Sequence, residues 1–85
     1  MDLISGLKID MMNVNGINGP QKQKKCIKYF SSIYSDIIVL IDTRLKESTE
    51  QSFKNTTNAY DIYSTLSDGP TTRRGVSILI KKNFQ

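Results

Sequence analysis

One short segment constrains the fold of this chain most strongly, the run DIIVLI from Asp36 to Ile41. Its five consecutive aliphatic residues, most of them β-branched, leave neither face of an extended strand polar. The run therefore predicts a central strand that is buried on both faces.

A strand and a helix are predicted before that central strand. The segment Leu7 to Asn15 (LKIDMMNVN) alternates like a half-buried strand and then changes face. Pro20 suits the first turn of a helix, and an apolar stripe continues at helical spacing to about Ser32. A strand, a helix and a second strand in this order predict a crossover unit in an α/β layer.

A helix and two strands are predicted after the central strand. Ser48 and Gln51 fit a capping box that opens a short helix ending near Asn55. Tyr60–Thr65 and Gly75–Ile80 have the composition of strands, and the loop between them predicts a hairpin. The predicted order is β-α-β-α-β-β, an α/β fold with no linker or repeat.

The composition excludes several classes of site. The chain has one cysteine, Cys26, and no histidine. An internal disulfide, a Cys/His zinc site and a histidine-dependent catalytic triad are therefore impossible within these residues. No apolar run approaches the length of a bilayer-spanning helix and no signal peptide is evident, so we expect no membrane association and an intracellular location, nuclear or cytoplasmic.

The charge is unevenly distributed. The chain carries a net charge of +4, and residues 20–35 contain four lysines and no acidic residue. Such an excess weakly favours an anionic partner such as nucleic acid. The alternative, a solvated helix face, is favoured for the lysines themselves, which are Lys22, Lys24, Lys25 and Lys28.

Polar side chains stand where the first two predicted strands end. Asn13 and Asn15 close the first strand, and Asp42 directly follows the central one. If these strands are neighbours, the three side chains share one rim of the sheet and form a possible corner for Mg²⁺. The alternative is structural, with the asparagines satisfying turn backbone and Asp42 capping a loop, and spacing alone favours it.

Three blocks resemble a known family when they are taken together. LKIDMMNVNGINGPQKQKK, IIVLIDTRLKES and RRGVSILIKKN resemble, in order, strands of the endonuclease/exonuclease/phosphatase superfamily. The likeness is strongest to the apurinic-type endonuclease domain at the front of non-long-terminal-repeat (LINE-like) retrotransposon polyproteins. It implies that residues 1–85 are the N-terminal part of a four-layer α/β sandwich.

The resemblance also implies roles for individual residues. Asn13 matches the active-site asparagine that hydrogen-bonds within the phosphate pocket, and Asn15 matches a position near the metal. Asp42 matches the metal-binding glutamate and is one methylene shorter. Arg44 stands at a position close to the nucleic acid, and loop residues Arg73 and Arg74 are expected to contact the DNA backbone.

The implied activity is phosphodiester hydrolysis with Mg²⁺ or Mn²⁺, used by a DNA endonuclease that nicks DNA during retroelement integration. The family's Gly-Asp-Phe-Asn and Ser-Asp-His motifs are missing, so we expect an incomplete active site and a partner, the C-terminal half of the same domain. No metal-dependent cleavage is expected from these residues alone. Two alternatives stay open, a small basic nucleic-acid-binding module without catalysis, and a phosphoesterase of the same superfamily with another substrate.

Overall fold

The computed structural model describes residues 6–66 and 74–82. Their helices and strands confirm the predicted order β-α-β-α-β-β. They are β1 (Ile9–Asn13), α1 (Pro20–Ser32), β2 (Ile37–Ile41), α2 (Glu47–Lys54), β3 (Tyr60–Ser64) and β4 (Val76–Lys81). Neither described helix is long and apolar enough to cross a bilayer.

The four strands form one mixed sheet in the order β1-β2-β4-β3. Strands β1 and β2 are parallel, with Asn13 opposite Ile41, and β4 runs antiparallel to both β2 and β3. The predicted crossover and hairpin are therefore confirmed. Because β1 and β2 are parallel neighbours, their carboxyl ends lie at the same edge of the sheet.

One face of the sheet packs against both helices and forms the core. Ile38 and Leu40 of β2 and Leu79 of β4 are fully buried there, with Phe30 of α1 and Phe53 of α2 in the same cluster. Burying a side chain of this size contributes roughly 1.5–3 kcal/mol, so this single layer is the main source of stability.

The prediction that the central strand is buried on both faces is wrong for the described residues. The second face of the sheet, called here the open face, carries Ile37, Val39 and Ile41 of β2, and Ile41 is 37% exposed. Ile9 and Met11 of β1 lie on the same face and are more than half exposed. The cause is that both helices pack on the other side, so nothing described covers this face.

Several predicted boundaries also need correction. Helix α2 begins one residue before Ser48, and Lys46 is its N-cap. The Lys46 N–H donates to the Thr49 hydroxyl at 2.9 Å, so the predicted box of Ser48 and Gln51 is wrong. Strand β1 is shorter than predicted at both ends, and at its carboxyl end the cause is the left-handed backbone of Asn15, with φ of 54°.

Candidate functional site

The segments that leave β1 and β2 run side by side beyond the sheet. We call them, together with the two residues before β4, the strand-end rim: residues 13–18, 42–45 and 74–75. Backbone hydrogen bonds join the two segments over three successive steps, from Val14 to Ile41 at 2.9 Å, Gly16 to Asp42 at 2.6 Å, and Ile17 to Thr43 at 2.9 Å. The rim is therefore a continuation of the parallel pair, and it brings both predicted strand-end sites to one place.

The backbone of the rim is unusual. Asn15, Asp42 and Arg44 have φ values of 54°, 61° and 55°. In the part of the chain that the structure describes, they are three of the four non-glycine residues in the left-handed region. That conformation costs roughly 1–2 kcal/mol per residue and tends to concentrate at functional sites.

Neighbouring segments hold this backbone in place. The Asn18 side-chain amide donates to the Arg44 carbonyl at 2.8 Å, and the Arg44 N–H donates to the Arg74 carbonyl at 3.3 Å. The Thr43 N–H donates to the Gly75 carbonyl at 3.2 Å. The rim is thus fixed from both sides, by the turn after β1 and by the two residues before β4.

Asp42 and Arg44 form the central ion pair of the rim. The Arg44 Nε and Nη2 atoms each donate to a different Asp42 carboxylate oxygen, both at 2.9 Å. The Asp42 side chain is almost fully buried, whereas 41% of the Arg44 side chain is exposed. Hydrogen bonds from the Arg44 guanidinium lower the pKa of Asp42, so this carboxyl is ionised at neutral pH.

Two further cations act on the same carboxylate. The charges of Arg74 and Lys22 also lower the pKa of Asp42. The Lys22 ammonium donates to the Val14 carbonyl and stands 3.4 Å from the Asn15 carbonyl. One cationic side chain therefore binds this carboxylate and two more act on it through their charge, and these four groups sum to +2. Such a cluster attracts an anion.

The two asparagines serve the turn after β1. The Asn13 Oδ1 atom accepts the Asn15 N–H at 3.1 Å, and both side chains are exposed. The structural role that spacing favoured is therefore confirmed for Asn13. Although the asparagines and Asp42 share the rim, no hydrogen bond joins either asparagine to the Asp42 carboxylate. Their roles in a phosphate pocket or at a metal stay predictions.

The predicted metal corner does not fit a divalent ion in this arrangement. Arg44 occupies both carboxylate oxygens of Asp42, and Asn15 occupies the Asn13 Oδ1 atom. Within residues 6–66 and 74–82 there is no group of three or more His, Cys, Asp or Glu side chains able to hold a metal. The Asp42 carboxylate oxygens and the Asn13 Oδ1 atom are therefore already engaged within the protein, by Arg44 and by the Asn15 N–H.

The other predicted nucleic-acid contacts are placed in part. Arg74 is exposed and lies near Asp42, whereas Arg73 lies outside the described residues. On α1, Lys24, Lys25 and Lys28 are exposed. This exposure agrees with a solvated helix face, and Lys22, which is exposed as well, is the lysine whose ammonium reaches the rim.

Two residues that position the rim escaped the sequence analysis. Gln23 is fully buried, and its amide donates to the Ile17 carbonyl at 3.0 Å while its Oε1 accepts the Ser52 hydroxyl at 3.1 Å. Asn18 holds the Arg44 backbone, as described above. Gln23 stands four residues before the buried Ile27 and therefore lies on the apolar stripe of α1. A polar residue on that stripe was the sequence feature that could have indicated its buried role.

The fold is similar to that of a solved structure, the APE2 catalytic domain of Xenopus laevis. The TM-score is 0.64 and the sequence identity is 23%, over 88% of this chain and 23% of that chain. The chain thus spans less than a quarter of the length of that protein. No protein-family model matches the sequence, and no curated protein matches it either. At this identity the likeness shows the fold, which is that of one part of a larger α/β sandwich.

Proposed function

We propose that this chain is the N-terminal part of a DNA-acting phosphodiesterase, an endonuclease of the endonuclease/exonuclease/phosphatase superfamily. The observation that carries the proposal is the strand-end rim, where a buried carboxylate pairs with one cationic side chain and lies within the field of two more, on a strained, fixed backbone. The fold shared with an APE2 catalytic domain supports the same reading. Retroelement integration as its setting, and an intracellular location, belong to this proposal.

The rim would act first as a binding site for a phosphodiester. Arg44 and Arg74 are accessible enough to donate to phosphate oxygens, and Lys22 adds a third positive charge. Because the Asn13 Oδ1 is used within its turn, its Nδ2 group would supply the donor to the phosphate. These groups are fixed before the substrate arrives, which is what electrostatic stabilisation of a phosphoryl centre requires.

Mg²⁺ or Mn²⁺ is part of the proposal for the complete enzyme, in which Asp42 would be one ligand. Both oxygens of that carboxylate accept hydrogen bonds from Arg44. A metal would therefore bind there only if the guanidinium moved away and other residues supplied further ligands. This observation favours a second candidate function, a basic nucleic-acid-binding module that performs no hydrolysis. The two candidates share the rim and differ in whether metal enters it.

The open face supports the proposed partner, the remaining half of the same domain. Four strands at about 4.8 Å spacing and five residues at about 3.4 Å rise give this face roughly 19 by 17 Å. Its residues are aliphatic or aromatic almost throughout, and the polar Asp61 and Lys82 at one end pair with each other at 3.8 Å. A second sheet packed face to face would cover it, whether from the same polypeptide or from a separate one.

DNA binding measured at several salt concentrations tests the proposed function. Fluorescence anisotropy with a labelled duplex should show that R74Q flattens the slope of log affinity against log salt by about 0.9, and weakens binding about eightfold near 0.1 M salt. The matched control is K28Q, which removes the same charge from the exposed face of α1. Equal losses in R74Q and K28Q would contradict a phosphate site at the rim.

A further inference from the structure

We infer that an apolar groove beside the strand-end rim takes the unpaired base of a nucleic-acid strand whose phosphodiester binds the rim. The inference rests on the proposed function and deepens it, because it names the form of nucleic acid that the rim would select. A paired base is held inside the duplex, so only a single strand or an extruded nucleotide could place its base in this groove.

The groove lies between the end of β1 and one side of α1, and its volume is about 280 Å³. We call it the β1–α1 groove. One wall comes from the segment 12–17, and the other carries Lys22, Lys25, Cys26 and Tyr29 of α1. Small-molecule sites range over roughly 300–1,000 Å³, so a groove of this volume suits a group about the size of one base.

Most of the lining of the groove is apolar. Val14 and Ile17 are buried beneath it, and Met12 is 38% exposed at its side. Burial raises the pKa of the Cys26 thiol to about 11, so this side chain is uncharged at neutral pH and adds to the apolar surface. Such a surface gains nothing from a bare phosphate ion, whereas it would bury the face of a base.

Tyr29 supplies an aromatic ring at the groove. The ring packs edge-to-face with the buried Phe30, with ring centroids 5.0 Å apart and ring planes at 73°. Half of Tyr29 nevertheless remains exposed, so the ring is held in place with room for a second aromatic partner. Stacking of bases on such rings is a general way in which proteins bind single-stranded nucleic acid.

The charge of the groove selects an anionic occupant. Its charged lining residues, Lys22 and Lys25, are both basic, and within the described ranges 6–66 and 74–82 no acidic residue lines it. An apolar peptide or a lipid tail would leave both ammonium groups without a partner. A nucleotide brings an apolar ring and a negative phosphate together, and therefore matches both properties of the groove.

The β1–α1 groove is continuous with the strand-end rim. Asn13, Val14 and Ile17 belong to both, and the Lys22 ammonium donates to the Val14 carbonyl where the two meet. One nucleotide can therefore contact the rim with its phosphate and the groove with its base. The base would add affinity that the phosphate contacts alone do not supply.

Alkylation of Cys26 with N-ethylmaleimide, followed by intact-mass spectrometry on the wild-type chain, tests the occupant. The chain has a single cysteine, so every modified molecule reports on the groove. A single-stranded hexamer of deoxythymidine at ten times its Kd should slow alkylation about tenfold by mass action. An abasic hexamer with the same phosphates, at ten times its own Kd, should leave the rate nearly unchanged. Equal slowing by the two strands, or slowing by neither, would overturn the inference.

The affinities of the two hexamers, measured by fluorescence anisotropy, give a second test. Wild type should bind the thymidine hexamer about 5- to 150-fold more tightly than the abasic one, as expected when one base stacks on an aromatic ring. Y29A should lose most of this preference, whereas Y63A, which removes a similarly exposed tyrosine from β3, should keep it. An undiminished preference in Y29A would contradict the inference. Both hexamers carry the same phosphates, so failure here is distinguishable from failure of the salt-slope experiment with R74Q.

Discussion

Replacing Gly75 with alanine tests how the rim is built. Gly75 has a φ of +96°, and a Cβ there would stand 3.2 Å from the Thr43 Oγ1 and 3.3 Å from two oxygens of Thr65. The left-handed backbone should cost roughly 1–2 kcal/mol and the crowding roughly 1–2 kcal/mol more. We therefore expect G75A to lower the free energy of unfolding by about 2–4 kcal/mol, a large part of the stability of a small domain.

A second glycine separates the two contributions. Gly16 also has a positive φ, +84°, but the nearest atom to its Cβ position is the Arg44 Cδ at an ordinary 3.6 Å. G16A should therefore lose only about 1–2 kcal/mol. Urea unfolding followed by circular dichroism gives both values, and thermal midpoints should fall by about 4–8 °C per kcal/mol. If G75A is no less stable than G16A, the close packing of Thr43 against Gly75 is refuted.

Two further perturbations probe the core and the ion pair. Y60F removes the hydroxyl that donates to the buried Ser35 carbonyl at 2.8 Å. Because that acceptor is then left unsatisfied, the free energy of unfolding measured in urea should fall by about 1–3 kcal/mol. The control Y63F, at an exposed position, should change this free energy little. Arg44 lowers the pKa of Asp42 below its usual 3.8, so the carboxylate stabilises the fold above that pH and stops doing so as pH falls through the lowered pKa. The advantage of wild type over D42N in urea midpoint should therefore be full at pH 7 and shrink below about pH 4; an advantage unchanged down to pH 2 would contradict the pairing.

Local pattern was enough to predict the order of helices and strands. Pro20 sets where α1 begins, and the aliphatic run of β2 favours a central position in the sheet. Both features therefore depend on only a few neighbouring residues. The pairing of β1 with β2 followed from the crossover. The same reasoning placed Asn13 and Asp42 at one edge of the sheet.

What the sequence could not predict depends on backbone conformation and on distant partners. Asp42 and Arg44 are two residues apart, a spacing that allows contact, but only their left-handed φ values and the clamp by Asn18 turn the guanidinium onto the carboxylate. The prediction that β2 is buried on both faces was wrong for another reason. The composition of β2 suits burial on both sides, and both described helices pack on one of them.

Mapping of phosphate binding by nuclear magnetic resonance tests the central claim most directly. Titrating the ¹⁵N-labelled chain with a short DNA duplex, and separately with a dinucleoside monophosphate, should shift the backbone amides of the strand-end rim, above all those of Gly16, Asp42, Arg44 and Gly75. Both probes should shift the same amides, because the shared ligand is the phosphodiester. Shifts confined to the Lys24 and Lys28 side of α1, with the rim unchanged, would contradict the account.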